Sequence, residues 1–272
     1  MKKLLSLYLS LAVVLMSCNP DNENNQDPQP VMPPEYSMAP NFDDFETESS
    51  QRNQTIEHWF YAAVNVNVYS TILAGNLAIP VAAFKATISQ EPFYDTVAGV
   101  WTWENEFSAH SNDFSIRLTA DVVDGNVDWK GYISATSLSS TSSYSPPDNF
   151  VWFEGQSDVE GNTGSWTLFE NPDNPSAWIS TEWSRNEDQT VANADFTIEK
   201  EGDLLGSYIH YSRDENIDLN RSVEISNTQS GDLIEIYWNS ELKFGRVKSE
   251  IYFNDNAFHC WDESLQDISC EE

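Results

Sequence analysis

Short strands separated by polar turns recur from about residue 91 to the end of the chain, and this pattern most constrains the fold. Residues 114–122 alternate apolar and polar side chains, which is typical of a half-buried strand. Asp124-Gly125 follows, a strong hairpin signal, and the returning segment places Val127, Trp129 and Ile133 on one face. Further strands are predicted at residues 150–155, 165–170, 177–183, 194–200, 206–212, 221–226, 233–239 and 246–253. No intervening segment is long enough for a parallel crossover helix, so the strands are predicted to be antiparallel.

A helical segment is predicted ahead of the strands. Apolar residues recur at three- and four-residue steps from Ile56 to Ile72, although residues 64–68 also fit an alternating strand. Gly75 is expected to end this helix, and Pro80 to begin a second one. The uncharged run 59–84 contains several asparagines, which disfavours a membrane span. The predicted fold class is therefore mainly β: an antiparallel up-and-down meander forming a barrel or strongly curved sheet, with an N-terminal helical segment packed on it.

The net charge restricts the classes of binding partner that are expected, and the composition predicts a folded core. The formal net charge is −31, from 13 Lys and Arg against 44 Asp and Glu. Such a surface repels phosphate backbones, so no nucleic acid is expected as a partner. The 10 Trp, 11 Tyr and 14 Phe supply the apolar area for a core, unlike the composition of disordered acidic chains.

The first residues indicate export. Lys2 and Lys3 precede an apolar run at residues 4–16, which is typical of a secretory signal peptide. The segment ends in Leu15-Met16-Ser17-Cys18, which resembles the lipobox of bacterial lipoproteins. The resemblance implies cleavage before Cys18, lipid on its thiol and anchoring in the cell envelope. The alternative is an ordinary signal peptide in which Cys18 occurs by chance.

The region after Cys18 is rich in Asn, Asp and Pro, a composition that predicts a flexible tether. Asp21 and Glu23 resemble the export signals of surface lipoproteins of the Bacteroidota, which slightly favours display on the outer-membrane surface over its periplasmic face. The predicted organisation is a signal peptide at 1–17, a lipid-anchored tether at 18–48, a helical segment at 49–90 and a β domain at 91–272. Residues 49–272 are expected to form one folded unit.

Two cysteines remain once Cys18 is assigned to lipid. Cys260 and Cys270 are predicted to form a disulfide in an oxidising compartment. A two-cysteine metal site is the alternative, but neither a C-x-x-C motif nor a suitably spaced histidine pair accompanies it.

Tryptophans within the predicted strands are the candidate ligand-binding residues. Aromatic rings at alternate strand positions usually fill a core, but some can line a cavity or form a stacking platform for sugars. The candidates are Trp101, Trp103, Trp129, Trp166 and Trp178. Gly99-Val100-Trp101, after a helical lead-in, resembles the opening motif of lipocalins, closed barrels that carry small apolar ligands. The later lipocalin motif is missing and more than eight strands are predicted, so no ligand residue is carried over.

Signatures of enzymes and cofactors are not found, and no catalytic residue, cofactor or metal is predicted. The four histidines lie far apart in sequence, and many carboxylates form no recognisable pair. Two oxygen-rich clusters are weak calcium candidates: Asp121, Asp124, Asn126 and Asp128, and Asn171, Asp173 and Asn174. The leading hypothesis is a non-enzymatic binding module for an apolar or amphipathic small molecule. The alternative is a carbohydrate-binding or adhesion lipoprotein, and a third possibility is an enzyme acting on envelope polymers.

Overall fold

The computed structural model describes residues 27–40, 42–45, 55–137 and 148–270. These ranges contain fourteen strands in a single sheet. The first seven are β1 (Phe93–Asp95), β2 (Val100–Ala109), β3 (Asn112–Val123), β4 (Asn126–Ser137), β5 (Phe150–Asp158), β6 (Thr163–Asn171) and β7 (Asn174–Arg185). The others are β8 (Val191–Ile198), β9 (Tyr208–Asp214), β10 (Arg221–Asn227), β11 (Asp232–Trp238), β12 (Gly245–Ser249), β13 (His259–Trp261) and β14 (Asp267–Ile268).

Each strand pairs antiparallel with its sequence neighbours, in the order β1 to β14. The prediction of a mainly β, antiparallel meander is thus confirmed. β1 and β14 form the two edges, so the sheet is partly curled and does not close into a barrel. Of the two forms left open by the sequence, the closed barrel is wrong.

The alternation in β3 and β4 has the predicted consequence. Phe114, Ile116 and Leu118 on β3 are buried, whereas the residues between them are partly exposed. The hairpin turn at Asp124 and Gly125 has φ values of 53° and 83°. This pair of positive values is the geometry that a two-residue hairpin requires.

One helix, α1 (Glu57–Ile88), precedes the sheet. It continues through Gly75 and Pro80, so the predicted break into two helices is wrong. The Phe84 ring on its buried side lies 5.5 Å from the ring of Trp166 and 6.2 Å from that of Phe153. Residues of α1 contact β2, β3, β4 and β6, and also β12, β13 and β14. One helix therefore touches strands from both halves of the meander.

The sheet ends differently from the prediction. The expected strand at 246–253 stops at Ser249, whose hydroxyl accepts a hydrogen bond from the Tyr252 N–H at 3.1 Å. This N-cap starts the short helix α2 (Glu250–Phe253).

The predicted disulfide is confirmed: Cys260 and Cys270 are bonded, with Cα atoms 5.2 Å apart.

Part of the predicted tether belongs to the folded unit. Two short 3₁₀ helices, Glu35–Ser37 and Asp43–Phe45, lie against the sheet, and Met38, Phe42 and Phe45 join the buried core. The described part of the predicted tether, residues 27–40 and 42–45, therefore contributes side chains to the core. The remaining residues of the predicted tether lie outside the described ranges, as do the signal peptide and Cys18.

Within the described ranges, neither helix combines the length and apolar character needed to cross a membrane.

Candidate ligand-binding site

The tryptophans predicted to bind ligand lie mainly in the core. Trp101, Trp103, Trp129 and Trp166 are each at most 9% exposed. Three of these rings pack in a row, with centroids of Trp103 and Trp129 5.5 Å apart and those of Trp129 and Trp166 6.2 Å apart. The Trp101 ring packs instead against Tyr94, at 5.4 Å between centroids. The structure thus brings Trp103, Trp129 and Trp166 together, but as neighbours in the core.

The indole N–H groups of two of these rings are also occupied. The indole N–H groups of Trp129 and Trp166 donate to the hydroxyls of Ser157 and Ser37, at 2.9 Å and 3.0 Å. Buried indoles usually find such partners, so these contacts are those of packed tryptophans.

Trp178 differs because its ring is only partly buried. It lies where the register between β6 and β7 shifts, and the Lys200 ammonium is 5.0 Å from its ring centroid. Of the five candidates, Trp178 is therefore the one within reach of a ligand in solvent.

Gly99-Val100-Trp101 and a second Gly-x-Trp piece, Gly164-Ser165-Trp166, have separate backbone explanations. Gly99 has φ +74°, in the left-handed region that favours glycine. A Cβ on Gly164 would lie 2.2 Å from the Trp183 ring, so only glycine fits there. Neither glycine therefore needs a ligand to account for it.

A cleft of about 560 Å³ lies near the C-terminal edge of the sheet. Its size falls in the range of pockets for small molecules. Its apolar walls come from Leu219, Phe244, Trp261, Ile268 and the Cys260–Cys270 disulfide. The disulfide ties this edge together, so the predicted cysteine pair shapes a candidate site.

One cation, Arg246 on β12, lines the same cleft. Its guanidinium carbon lies 4.3 Å from the ring centroid of Phe258 and 4.9 Å from that of Tyr237. These two rings meet edge to face, with centroids 5.7 Å apart. The Nε of Arg246 is buried and has no hydrogen-bond partner. Two aromatic contacts therefore hold the guanidinium in place while leaving at least one N–H donor unused.

The charges around Arg246 are mixed. Lys248, two residues along β12, pairs with Glu235 at 2.7 Å. Asp262 and Glu263 line the cleft, and one Asp262 oxygen already accepts backbone N–H groups from the following turn. Burial, reinforced by the Glu235 charge, raises the pKa of Tyr237 above its ordinary value. Tyr237 is therefore neutral at physiological pH and presents an uncharged ring to Arg246.

A second hollow, also of about 560 Å³, lies over β3 to β6. The register aligns Thr119, Lys130, Glu154 and Thr167 in one row across these strands. Tyr132 contributes a ring, over which the Arg117 guanidinium lies at 4.3 Å. This lining is mostly polar, in contrast to the walls of the C-terminal cleft.

No group of three or more His, Cys, Asp or Glu side chains in the described ranges is arranged to hold a metal ion. In the first calcium cluster, Asp128 accepts a hydrogen bond from Gln156. In the second, the Asn171 side-chain oxygen accepts hydrogen bonds from backbone N–H groups of its own turn.

The rings of His58 and His259 approach to 5.0 Å between centroids, a pairing that their sequence positions did not suggest.

The described residues form one antiparallel β-sheet, and the helix α1 contacts several of its strands. The two clefts on this sheet are the candidate ligand sites. Comparison of the chain with protein-family models, curated proteins and solved structures finds no match.

Sequence reasoning named the two cysteines of the cleft but missed Arg246, Tyr237 and Phe258. The available signal was the alternation of β12, which places Arg246 and Lys248 opposite the buried Val247. That signal identifies an outward-facing arginine. It does not identify which rings contact it.

Proposed function

We propose that this protein is a cell-envelope lipoprotein whose β domain is a non-enzymatic binding module for a small apolar or amphipathic molecule. The observation that carries the proposal is the C-terminal cleft, with four apolar side chains and a disulfide around a ligand-sized volume. Burial of apolar ligand surface in such a cleft provides the driving force for binding.

We infer that α1 fills the concave side of the partly curled sheet and so leaves the C-terminal cleft as the ligand site. The contacts of α1 with strands of both halves support this inference, as do the buried tryptophans. In this respect the proposed module differs from a lipocalin, whose ligand lies inside the barrel.

The test is binding of a neutral, environment-sensitive fluorophore, N-phenyl-1-naphthylamine, to the mature protein. Ile268→Asp places a charge in the wall of the cleft and should weaken binding at least tenfold. Leu205→Asp is the matched control, since Leu205 lies outside the cleft and is 46% exposed, against 45% for Ile268. If the wild-type protein does not bind the fluorophore, or if both variants bind like wild type, the proposal fails.

Attachment to the membrane through lipid on Cys18 is the second part of the proposal. Its support is the lipobox resemblance, with the basic residues and apolar run that precede it. Because Asp27 is already tied to the sheet by the indole N–H of Trp101, only residues 19–26 separate the lipidated residue from the domain. The nine residue steps from 18 to 27 reach at most about 30 Å, which would keep the domain close to the membrane.

Incorporation of an alkyne-labelled fatty acid during growth tests this part. The wild-type protein should be labelled, Cys18→Ser should not, and a Cys260→Ser/Cys270→Ser variant should be labelled like wild type. Antibody binding to intact cells then tests display on the outer-membrane surface, which we favour over the periplasmic face.

Carbohydrate binding is the second candidate function. The polar hollow over β3 to β6 favours it, because hydroxyl, amide and charged side chains surround a ring at Tyr132. Screening on a glycan array should then find a ligand whose binding Tyr132→Ala reduces and Tyr252→Ala does not. Trp178→Ala tests the partly exposed ring in the same screen. If neither Tyr132 nor Trp178 matters, this candidate is excluded.

A further inference from the structure

Arg246 is one of the few described lysines and arginines that form no ion pair, and it is the one that lines the C-terminal cleft. Several described lysines and arginines pair with a carboxylate: Lys85, Lys200, Arg213, Arg221, Lys243 and Lys248. No ion pair or side-chain hydrogen bond holds Arg246 within the described ranges. An arginine without a carboxylate partner attracts an anion locally, even though the net charge of −31 repels anions at longer range.

The aromatic contacts make this arginine a preorganised donor. Tyr237 and Phe258 contact the guanidinium, and Tyr237 is the direct cross-strand neighbour of Arg246. Arginine stacks on rings while its N–H groups remain available to a planar oxyanion. Arg246 is partly exposed and lines the cleft, so the donors of its guanidinium other than the buried Nε can meet an anion there.

We propose that Arg246 is the anion-binding residue of the C-terminal cleft, and that the ligand is an amphipathic carboxylate whose apolar body lies against Phe244, Trp261 and Ile268. This inference rests on the proposed function, because it assigns the headgroup of the molecule that the cleft is proposed to hold. A carboxylate matches the guanidinium with two parallel hydrogen bonds.

The surrounding charges select a monoanion over a phosphate. Glu263 and Asp262 line the cleft, and a dianion would experience about twice the repulsion of a monoanion from them. Glu263 is exposed and lines the cleft, so its charge lies at the solvent-facing part of the site.

The experiment compares dodecanoate with dodecanol, which share an apolar chain and differ in the headgroup. Each is titrated against wild-type protein loaded with N-phenyl-1-naphthylamine, and its dissociation constant is obtained from displacement of the fluorophore. The wild-type protein should bind dodecanoate on the order of tenfold more tightly than the alcohol, since hydrogen bonds to charged groups are the stronger ones. Arg246→Gln should abolish this preference while fluorophore and dodecanol binding remain.

Arg117→Gln is the matched control, because Arg117 also lies over a tyrosine ring but lines no part of the cleft. It should keep the preference for the carboxylate. Glu263→Gln should strengthen dodecanoate binding and leave dodecanol binding unchanged. Thermal unfolding of each variant verifies that it folds.

The failures of the two proposals are distinguishable. If the fluorophore binds but the wild-type protein does not prefer dodecanoate, or if Arg246→Gln keeps the preference, the assignment of Arg246 is overturned and the apolar cleft stands. If the fluorophore does not bind at all, the proposed function itself is overturned, and this inference with it.

Discussion

The indole N–H of Trp238 donates a hydrogen bond to the Asp44 carboxylate at 2.9 Å, across 194 residues of sequence. The other oxygen of Asp44 accepts from the Lys243 ammonium at 2.5 Å. One carboxylate of the N-terminal segment thus joins that segment to β11 and to the turn before β12. The contact is a direct measure of whether residues 42–45 belong to the folded domain.

Asp44→Ala should destabilise the protein by about 1–3 kcal/mol, because the buried N–H of Trp238 loses its acceptor. Asp44→Asn keeps an acceptor oxygen and should have a smaller effect. Urea unfolding followed by tryptophan fluorescence measures the free energy of unfolding. Asp121→Ala, at an exposed position, is the control; equal stabilities of Asp44→Ala and wild type would contradict the contact.

The packing of Phe45 also indicates that residues 42–45 belong to the folded domain. Its ring is 3% exposed and lies 4.9 Å from the Trp238 ring, centroid to centroid. Phe45→Ala should lower the free energy of unfolding by about 3–5 kcal/mol, the usual effect of removing a buried phenylalanine. Val31→Ala, in the same segment but 49% exposed, should change it by no more than about 0.5 kcal/mol. A flexible tether would make the two variants indistinguishable.

Local patterns predicted most of the strands because each strand has a buried and an open face. The same reasoning failed to anticipate the packing of residues 27–40 and 42–45, because Met38, Phe42 and Phe45 are too few to alter an Asn- and Pro-rich composition. It failed again at 250–253, where the apolar run continued the strand pattern but the Ser249 hydroxyl caps a helix. In both places one specific contact overrides the average character of the segment.

The candidate site was less accessible to sequence reasoning than the fold. The contacts of the Tyr237 and Phe258 rings with Arg246 require the strand register that pairs Arg246 with Tyr237 on one side and Cys260 on the other. It also requires Phe258, which lies beyond α2 and returns to the same surface. Strand register and the position of Phe258 depend on contacts between distant parts of the chain. Sequence spacing therefore could not predict that Arg246, Tyr237 and Phe258 lie together.

Alkaline pH should destabilise the fold through Tyr61. Burial of its phenol, together with the Asp232 charge and the hydrogen bond to Asp232 at 3.3 Å, raises the pKa of Tyr61 to about 12. An unfolded tyrosine titrates near 10, so the folded state favours the protonated form. The resulting stabilisation is fully present below pH ~10 and is lost as the pH rises from about 10 to about 12.

Unfolding measurements across this window should show a smaller decline for Tyr61→Phe than for wild type. The decline should not vanish, because a hydrogen bond to Glu224 also raises the pKa of Tyr208 to about 12. Parallel curves for the two proteins would contradict the role of Tyr61.

The Cys260–Cys270 disulfide should support both stability and the cleft. It closes a loop of 10 residues in sequence separation, for which the chain-entropy model gives about 2–3 kcal/mol. Cys260→Ser/Cys270→Ser should therefore lower the free energy of unfolding by that amount. It should also weaken binding of N-phenyl-1-naphthylamine, because both cysteines line the cleft and the bond fixes its wall. Ser269→Ala alters the same wall without breaking the bond and should leave both quantities near wild type. If removal of the disulfide lowers stability but leaves fluorophore binding intact, the bond stabilises the C-terminal segment without shaping the ligand site. In that case the ligand contacts lie on the Phe244 and Trp261 side of the cleft.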